Sequence, residues 1–213
     1  MPNPPRSLEL PPLYAILDPE QTQSRAAETV LLELLQGGTQ WIQLRAKAMA
    51  PGDFLQLACA TRKRTHSSKC RLIVNDRVDI ALACDADGVH LGQEDLPLYA
   101  ARKLMGERII GISTHDVEQA KEAEASGADY IGFGPMFGTS TKITSYSARG
   151  VEMLRQIRAA VKIPIVAIGG INEQNVREVW QAGADSAAII SDILGADDIT
   201  EKTKRILASH RTI

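Results

Sequence analysis

The chain has 213 residues, with 24 Lys and Arg against 26 Asp and Glu and a formal charge of -2. That length suits one large domain or two small ones, with a core that needs no disulfide or metal staple. The near balance of charge gives no bulk attraction to nucleic acid or an anionic membrane, and no apolar run approaches the roughly 18 residues of a membrane-spanning helix.

Residues 1–12, MPNPPRSLELPP, carry five prolines and no apolar signal-peptide core, so they read as an extended tail. From residue 13 onward, short apolar runs alternate with helical patterns. The predicted strands are Tyr14–Leu17, Trp41–Arg45, Arg71–Asn75, Gly88–Leu91, Ile109–Ser113, Tyr130–Gly134, Ile165–Ile168 and Ser186–Ile190. Between them, helical signals cover Arg25–Leu35, Gly52–His66 behind Pro51, and Leu98–Met105 behind Pro97. Val117, Ala120 and Ala123 share a helical face that Gly127 terminates. Asn172 is expected to cap a helix that buries Val176, Val179 and Trp180 and stops at Gly183. The cysteines Cys59, Cys70 and Cys84 are odd in number and lack metal-type spacing. They read as buried free thiols in a reducing cytoplasm.

Strand followed by helix throughout means parallel pairing through right-handed crossovers. A weak repeat supports the reading: Gly127-Ala128-Asp129, Gly183-Ala184-Asp185 and Ala86-Asp87-Gly88 occupy the same helix-to-strand turn. Eight units over residues 13–213 average about 25 residues, a compact single-domain (β/α)8 TIM barrel. A doubly wound open sheet is the alternative, but it calls for a Gly-rich fingerprint after the first strand, where Asp18-Pro19-Glu20-Gln21-Thr22 stands instead.

A barrel of this kind builds its site at the C-terminal ends of its strands. Those ends carry Gln43, Arg45 and Lys47; Asn75 and Asp76; Asp95; Ser113 and His115; Thr139, Thr141 and Lys142; Gly169 and Gly170; Ile190 and Ser191. Arg45, Lys47 and Lys142 in one mouth suit a dense anion such as pyrophosphate. Asp76 and Asp95 follow adjacent strands, ~5 Å apart, and two carboxylates without Cys or clustered His favour Mg²⁺. The alternative is that each caps the helix that follows it. Gly169-Gly170 and Ile190-Ser191 fall where barrels offer backbone N–H groups to a phosphate. His115 is a candidate proton carrier or a loop hydrogen-bonder.

The segments QLRAK (43–47), NDRVDIALACDADGVHLGQEDLP (75–97), GIST (111–114), GADYIGFGPMFGTSTK (127–142), VAIGGI (166–171) and AIIS (188–191) resemble the thiamine phosphate synthase family, in order and spacing. The resemblance implies a cytoplasmic transferase that joins hydroxymethylpyrimidine diphosphate to hydroxyethylthiazole phosphate, with Mg²⁺ as cofactor and small molecules as its partners. It implies that Gln43, Arg45, Lys47 and Asn75 bind the pyrimidine diphosphate and that Ser113 touches the pyrimidine. It assigns the metal to Asp76 and Asp95, and the thiazole phosphate to Thr139, Thr141, Gly170, Ile190 and Ser191. Lys142 would reach the diphosphate, so the candidate catalytic set is Arg45, Lys47, Lys142 and Ser113. A homo-oligomer is compatible with this reading. Two positions depart from the family pattern: Thr144 replaces a usual acidic residue, and Ala46 a commoner Glu. Two further readings share the barrel, a thiazole tautomerase using His115 and a non-catalytic thiazole phosphate binder.

Overall fold

The computed structural model describes residues 8–138 and 147–211. Its strands are β1 Leu13–Leu17, β2 Trp41–Leu44, β3 Arg71–Asn75, β4 Gly88–Leu91, β5 Ile109–Thr114, β6 Tyr130–Phe133, β7 Ile165–Ile168 and β8 Ser186–Ile189. Each pairs in parallel with its sequence neighbours, and β1 pairs with β8 to close the barrel. The open-sheet alternative therefore falls. The helices are α1 Ala27–Gln36, α2 Pro51–Ser67, α3 Val78–Ala83, α4 Leu98–Met105, α5 Val117–Ala125, α6 Gly150–Ala160, α7 Val176–Gln181, α8 Ser191–Leu194 and α9 Ile199–His210. Among the described residues no helix is long and apolar enough to cross a membrane.

The strands are short and apolar because both faces are buried. Alternate residues face two separate cores. One face, with Ala15, Leu17, Ile42, Leu44, Leu72 and Val74, packs against helix residues such as Val30, Leu34 and Phe54. The other fills the barrel with Tyr14, Ile16, Trp41, Ile73, Tyr130, Val166 and Ala188. The period of two then decides what lines the mouth. Two residues beyond Trp41, Ile73 and Gly88 stand Gln43, Asn75 and His90, aimed into the same interior. At the opposite end Leu8 and Leu10 pack against the interior cluster, and the Pro12 carbonyl accepts from the Trp180 indole and the Ala187 amide.

The helix-to-strand turns repeat one device. The Asp129 carboxylate accepts from the Ile110 amide at 2.8 Å and from Arg102 at 2.6 Å, while its own amide donates to the Ile110 carbonyl. Asp87 does the same with Leu72 and Arg62, and Asp185 with Ile165 and Arg158. Each aspartate thus ties the foot of one strand to its neighbour and to an arginine of α2, α4 or α6.

Two expectations need correcting. Asn172 does not cap α7: its side chain accepts from the Gln174 and Asn175 amides in a preceding turn, and Asn175 is the residue before the helix. Cys70 and Cys84 are buried, but Cys59 is exposed, since it sits on the outer face of α2.

Candidate active site

The mouth gathers Gln43, Arg45, Lys47, Asn75, Asp76, Asp95, Ser113, His115, Gly170, Ile190 and Ser191 around one cavity. Every predicted site residue that lies among the described residues is there. Thr139, Thr141 and Lys142, with Thr144, lie outside the described residues.

Arg45 follows β2 and pairs with Asp18, a fully buried carboxylate just beyond β1. Asp18 also accepts from the Glu20 amide at 3.0 Å, so the guanidinium is held against a fixed anchor. Sequence reading passed over Asp18 because it lies 27 residues from its partner; the signal was a lone acid directly after a buried strand. Lys47 reaches Asp76 at 3.1 Å.

Asp76 adopts φ +62, a left-handed conformation that turns the chain sharply off β3. It does not cap α3, whose N-cap is Arg77, and Asp95 does not cap α4, which starts behind Pro97. The helix-cap alternative is excluded for both. Asp95 instead accepts from the Gly92 amide at 2.6 Å and lies within hydrogen-bonding reach of the Asp76 carboxyl. Burial, and after it the neighbouring Asp76 carboxyl, push the Asp95 carboxyl above its usual range; the Gly92 hydrogen bond pulls the other way. Two hard oxygen donors converging beside a lysine fit a hard divalent cation such as Mg²⁺. Among the described residues there is no cluster of three or more His, Cys, Asp or Glu able to hold a metal.

Across the mouth, Gly169 and Gly170 have φ +100 and +66. A Cβ on Gly170 would lie 2.5 Å from the Gly138 carbonyl oxygen and 2.8 Å from Phe137. The glycine is therefore demanded by backbone conformation and by the loop after β6, whatever the cavity holds. Beyond β8, Ser191 opens the four-residue α8. Lys202 on α9, almost fully buried, bridges Asp192 of α8 at 3.0 Å and Glu173 of the β7–α7 turn at 2.9 Å. The Glu173 amide closes the network on Asp192. No motif flagged Lys202, because its role depends on α9 packing against α7 and α8.

His115 donates from Nδ1 to the Gly134 carbonyl at 2.6 Å, and its amide donates to Gln119. Ser113 sits beside His90, whose Nε2 is 3.0 Å from the Ser113 hydroxyl.

Taken alone, this geometry defines a class: a (β/α)8 barrel whose mouth joins fixed cations to paired carboxylates, suited to a small anionic ligand. A family model described as thiamine monophosphate synthase matches residues 13–193. A thiamine-phosphate synthase of Clostridium acetobutylicum is 45% identical over 193 residues, covering 90% of this chain and 91% of its own. One from Halalkalibacterium halodurans is 46% identical over 188 residues, covering 88% and 89%. The solved thiamine phosphate pyrophosphorylase of Pyrococcus furiosus superposes with a TM-score of 0.85 at 39% identity, covering 93% of this chain and 96% of that one. The chain belongs to the thiamine monophosphate synthase family.

Proposed function

We propose that the chain is a transferase that joins hydroxymethylpyrimidine diphosphate to hydroxyethylthiazole phosphate, giving thiamine phosphate and pyrophosphate. One observation carries the reading: in a member of this family, Asp76 and Asp95 converge beside Lys47 and Arg45 in a single mouth. Asp76 and Asp95 would hold Mg²⁺, which when bound supplies neutralising charge to the diphosphate. Arg45, kept in place by Asp18, and Lys47 bind the diphosphate oxygens. Asn75 borders the same subsite. Gln43 and Ser113 receive the pyrimidine, and the Gly170, Ile190 and Ser191 backbone receives the thiazole phosphate, with Thr139 and Thr141 completing that subsite.

The bond that breaks joins the pyrimidine methylene carbon to a diphosphate oxygen, and its electron pair leaves with the oxygen. The carbon becomes electron-poor, and the thiazole nitrogen lone pair forms the new bond. No protein nucleophile takes part. The residues act by orienting the two substrates and stabilising the leaving charge. Lys142 supports that charge, and its loss is worth ~3 kcal/mol, or ~100-fold in rate. Both substrates are small molecules, and the free cysteines suit a reducing cytoplasm.

The experiment is pyrophosphate release with both substrates, with and without Mg²⁺, for the wild type, Lys142→Ala and His115→Ala. Mg²⁺-dependent release that collapses in Lys142→Ala and survives in His115→Ala supports the synthase. The reverse pattern would overturn the synthase mechanism drawn here; no pyrophosphate release at all, with thiazole phosphate tautomerisation that His115→Ala abolishes, would favour the tautomerase. No turnover of either kind would leave a binding barrel.

A further inference from the structure

Below the mouth, a line of hydrogen bonds crosses the barrel interior and surfaces in the cavity at both ends. The Gln43 amide nitrogen is 3.1 Å from the Tyr14 hydroxyl. Tyr14 meets the Tyr130 hydroxyl at 2.7 Å, and Tyr130 meets His90 Nδ1 at 3.0 Å. His90 Nε2 then meets Ser113 Oγ at 3.0 Å. Gln43, His90 and Ser113 line the cavity, whereas the two tyrosines are buried beneath it.

The chain makes room for this line deliberately. A Cβ on Gly111 would sit 2.0 Å from the Tyr130 ring, and one on Gly132 would sit 2.8 Å from the His90 ring. Two strand glycines therefore clear space for the two central rings, at some cost in strand propensity.

The direction of the line follows from counting protons. Burial pushes both phenols well above their ordinary value of 10, so each hydroxyl keeps its single proton at neutral pH. The Gln43 amide nitrogen can only donate, so Tyr14 accepts from it and passes its own proton toward Tyr130. Tyr130 must then donate to His90 Nδ1. That leaves Nε2 as the protonated nitrogen, donating to Ser113 Oγ. The Ser113 proton is released toward the cavity, and Gln43 keeps its carbonyl oxygen for the cavity. The two ends are coupled: turning the Gln43 amide over would reverse every bond and make Ser113 an acceptor.

We infer that Tyr130, with Tyr14 and His90, is a positioning residue that sets the donor–acceptor polarity of Gln43 and Ser113, and thereby selects the ring the site accepts. The inference rests on the proposed synthase reading. A ring between these ends must offer a donor to Gln43 and an acceptor to Ser113. An aminopyrimidine offers both, through its exocyclic amino group and its ring nitrogens. A 4-oxo pyrimidine presents an acceptor where the amino group was and is mismatched.

The experiment compares wild type and Tyr130→Phe in pyrophosphate release from the aminopyrimidine diphosphate and from its 4-oxo analogue. Wild type is expected to prefer the amino ring strongly. Tyr130→Phe keeps the ring and removes the middle of the line. It is expected to raise KM for the aminopyrimidine ~10-fold and shrink the amino-over-oxo preference by a similar factor, one hydrogen bond's worth. KM for the thiazole phosphate should not move. An unchanged preference, or equal rises for both substrates, overturns the inference and leaves Tyr130 a packing residue. Nitrogen-15 spectra of histidine-labelled wild type, assigned with His90→Gln, provide a readout independent of turnover. A neutral ring protonated at Nε2 is expected; the Nδ1 tautomer or an imidazolium overturns the proposed direction. If wild type fails to release pyrophosphate from either ring, the synthase reading fails, while the spectra still decide the direction of the line.

Discussion

The two ends of the barrel use aspartate in opposite ways. At the foot, Asp87, Asp129 and Asp185 each meet a backbone amide and an arginine, so the charge is fully answered within the protein. At the mouth, Asp76 and Asp95 face each other and share one lysine, Lys47, which ion-pairs with Asp76. The foot is finished; the mouth is electrostatically incomplete without a ligand. Placing like charges together has a stability cost that a binding site tolerates and a structural joint does not.

The largest effect should come from the mouth. Asp95→Asn keeps an acceptor for the Gly92 amide and removes the charge. Turnover should fall at least ~100-fold, while the melting temperature stays level or rises. Full activity would break the contrast by making Asp95 another structural acid. At the foot, Asp129→Ala strands the Ile110 amide and Arg102. It should cost about 3 kcal/mol, or roughly 6–12 °C in melting temperature, with turnover per folded molecule unchanged. A catalytic defect without a stability loss would reverse the assignment.

Lys202→Met probes the boundary between the two regimes, because Lys202 is a structural cation that props a binding turn. It should raise KM for the thiazole phosphate ~10-fold and leave KM for the pyrimidine diphosphate alone. Equal change in both would move the thiazole subsite elsewhere. The smallest effect belongs to Lys204→Ala, which removes an exposed partner of Glu201 on α9. Neither melting nor turnover should change measurably, since such surface pairs contribute little.

Sequence reading located the strands to within a residue because burial on both faces makes them short, continuous apolar runs. Gln43, Asn75 and Ser113 were legible as strand-end residues, where a barrel builds its site. What stayed hidden were partners set by closure of the barrel. Arg45 was visible, but its anchor Asp18 belongs to the adjacent strand's end. The repeated Gly-Ala-Asp turns were visible as turns, whereas their clasp needs arginines from helices three elements earlier. Tyr14 and Tyr130 were visible only as the first residues of two strands; that their hydroxyls meet depends on β1 and β6 facing across the interior. Gly170 was read as a clearance for an anion or as a tight turn needing positive φ; its φ of +66 and the neighbouring Gly138 carbonyl give the turn a structural demand of its own.

The aspartate clasps also divide the chain into a grammar of paired units. One spans Arg62 to Asp87, the next Arg102 to Asp129, the third Arg158 to Asp185. Each encloses one odd strand and ties its foot to the even strand that follows, and the connections after β4 and β6 fall in the gaps between clasps. Those gaps open at the mouth. A nick, an insertion or a redesigned loop there severs no clasp, so the barrel can be reworded at its functional end while its punctuation at the foot stays intact.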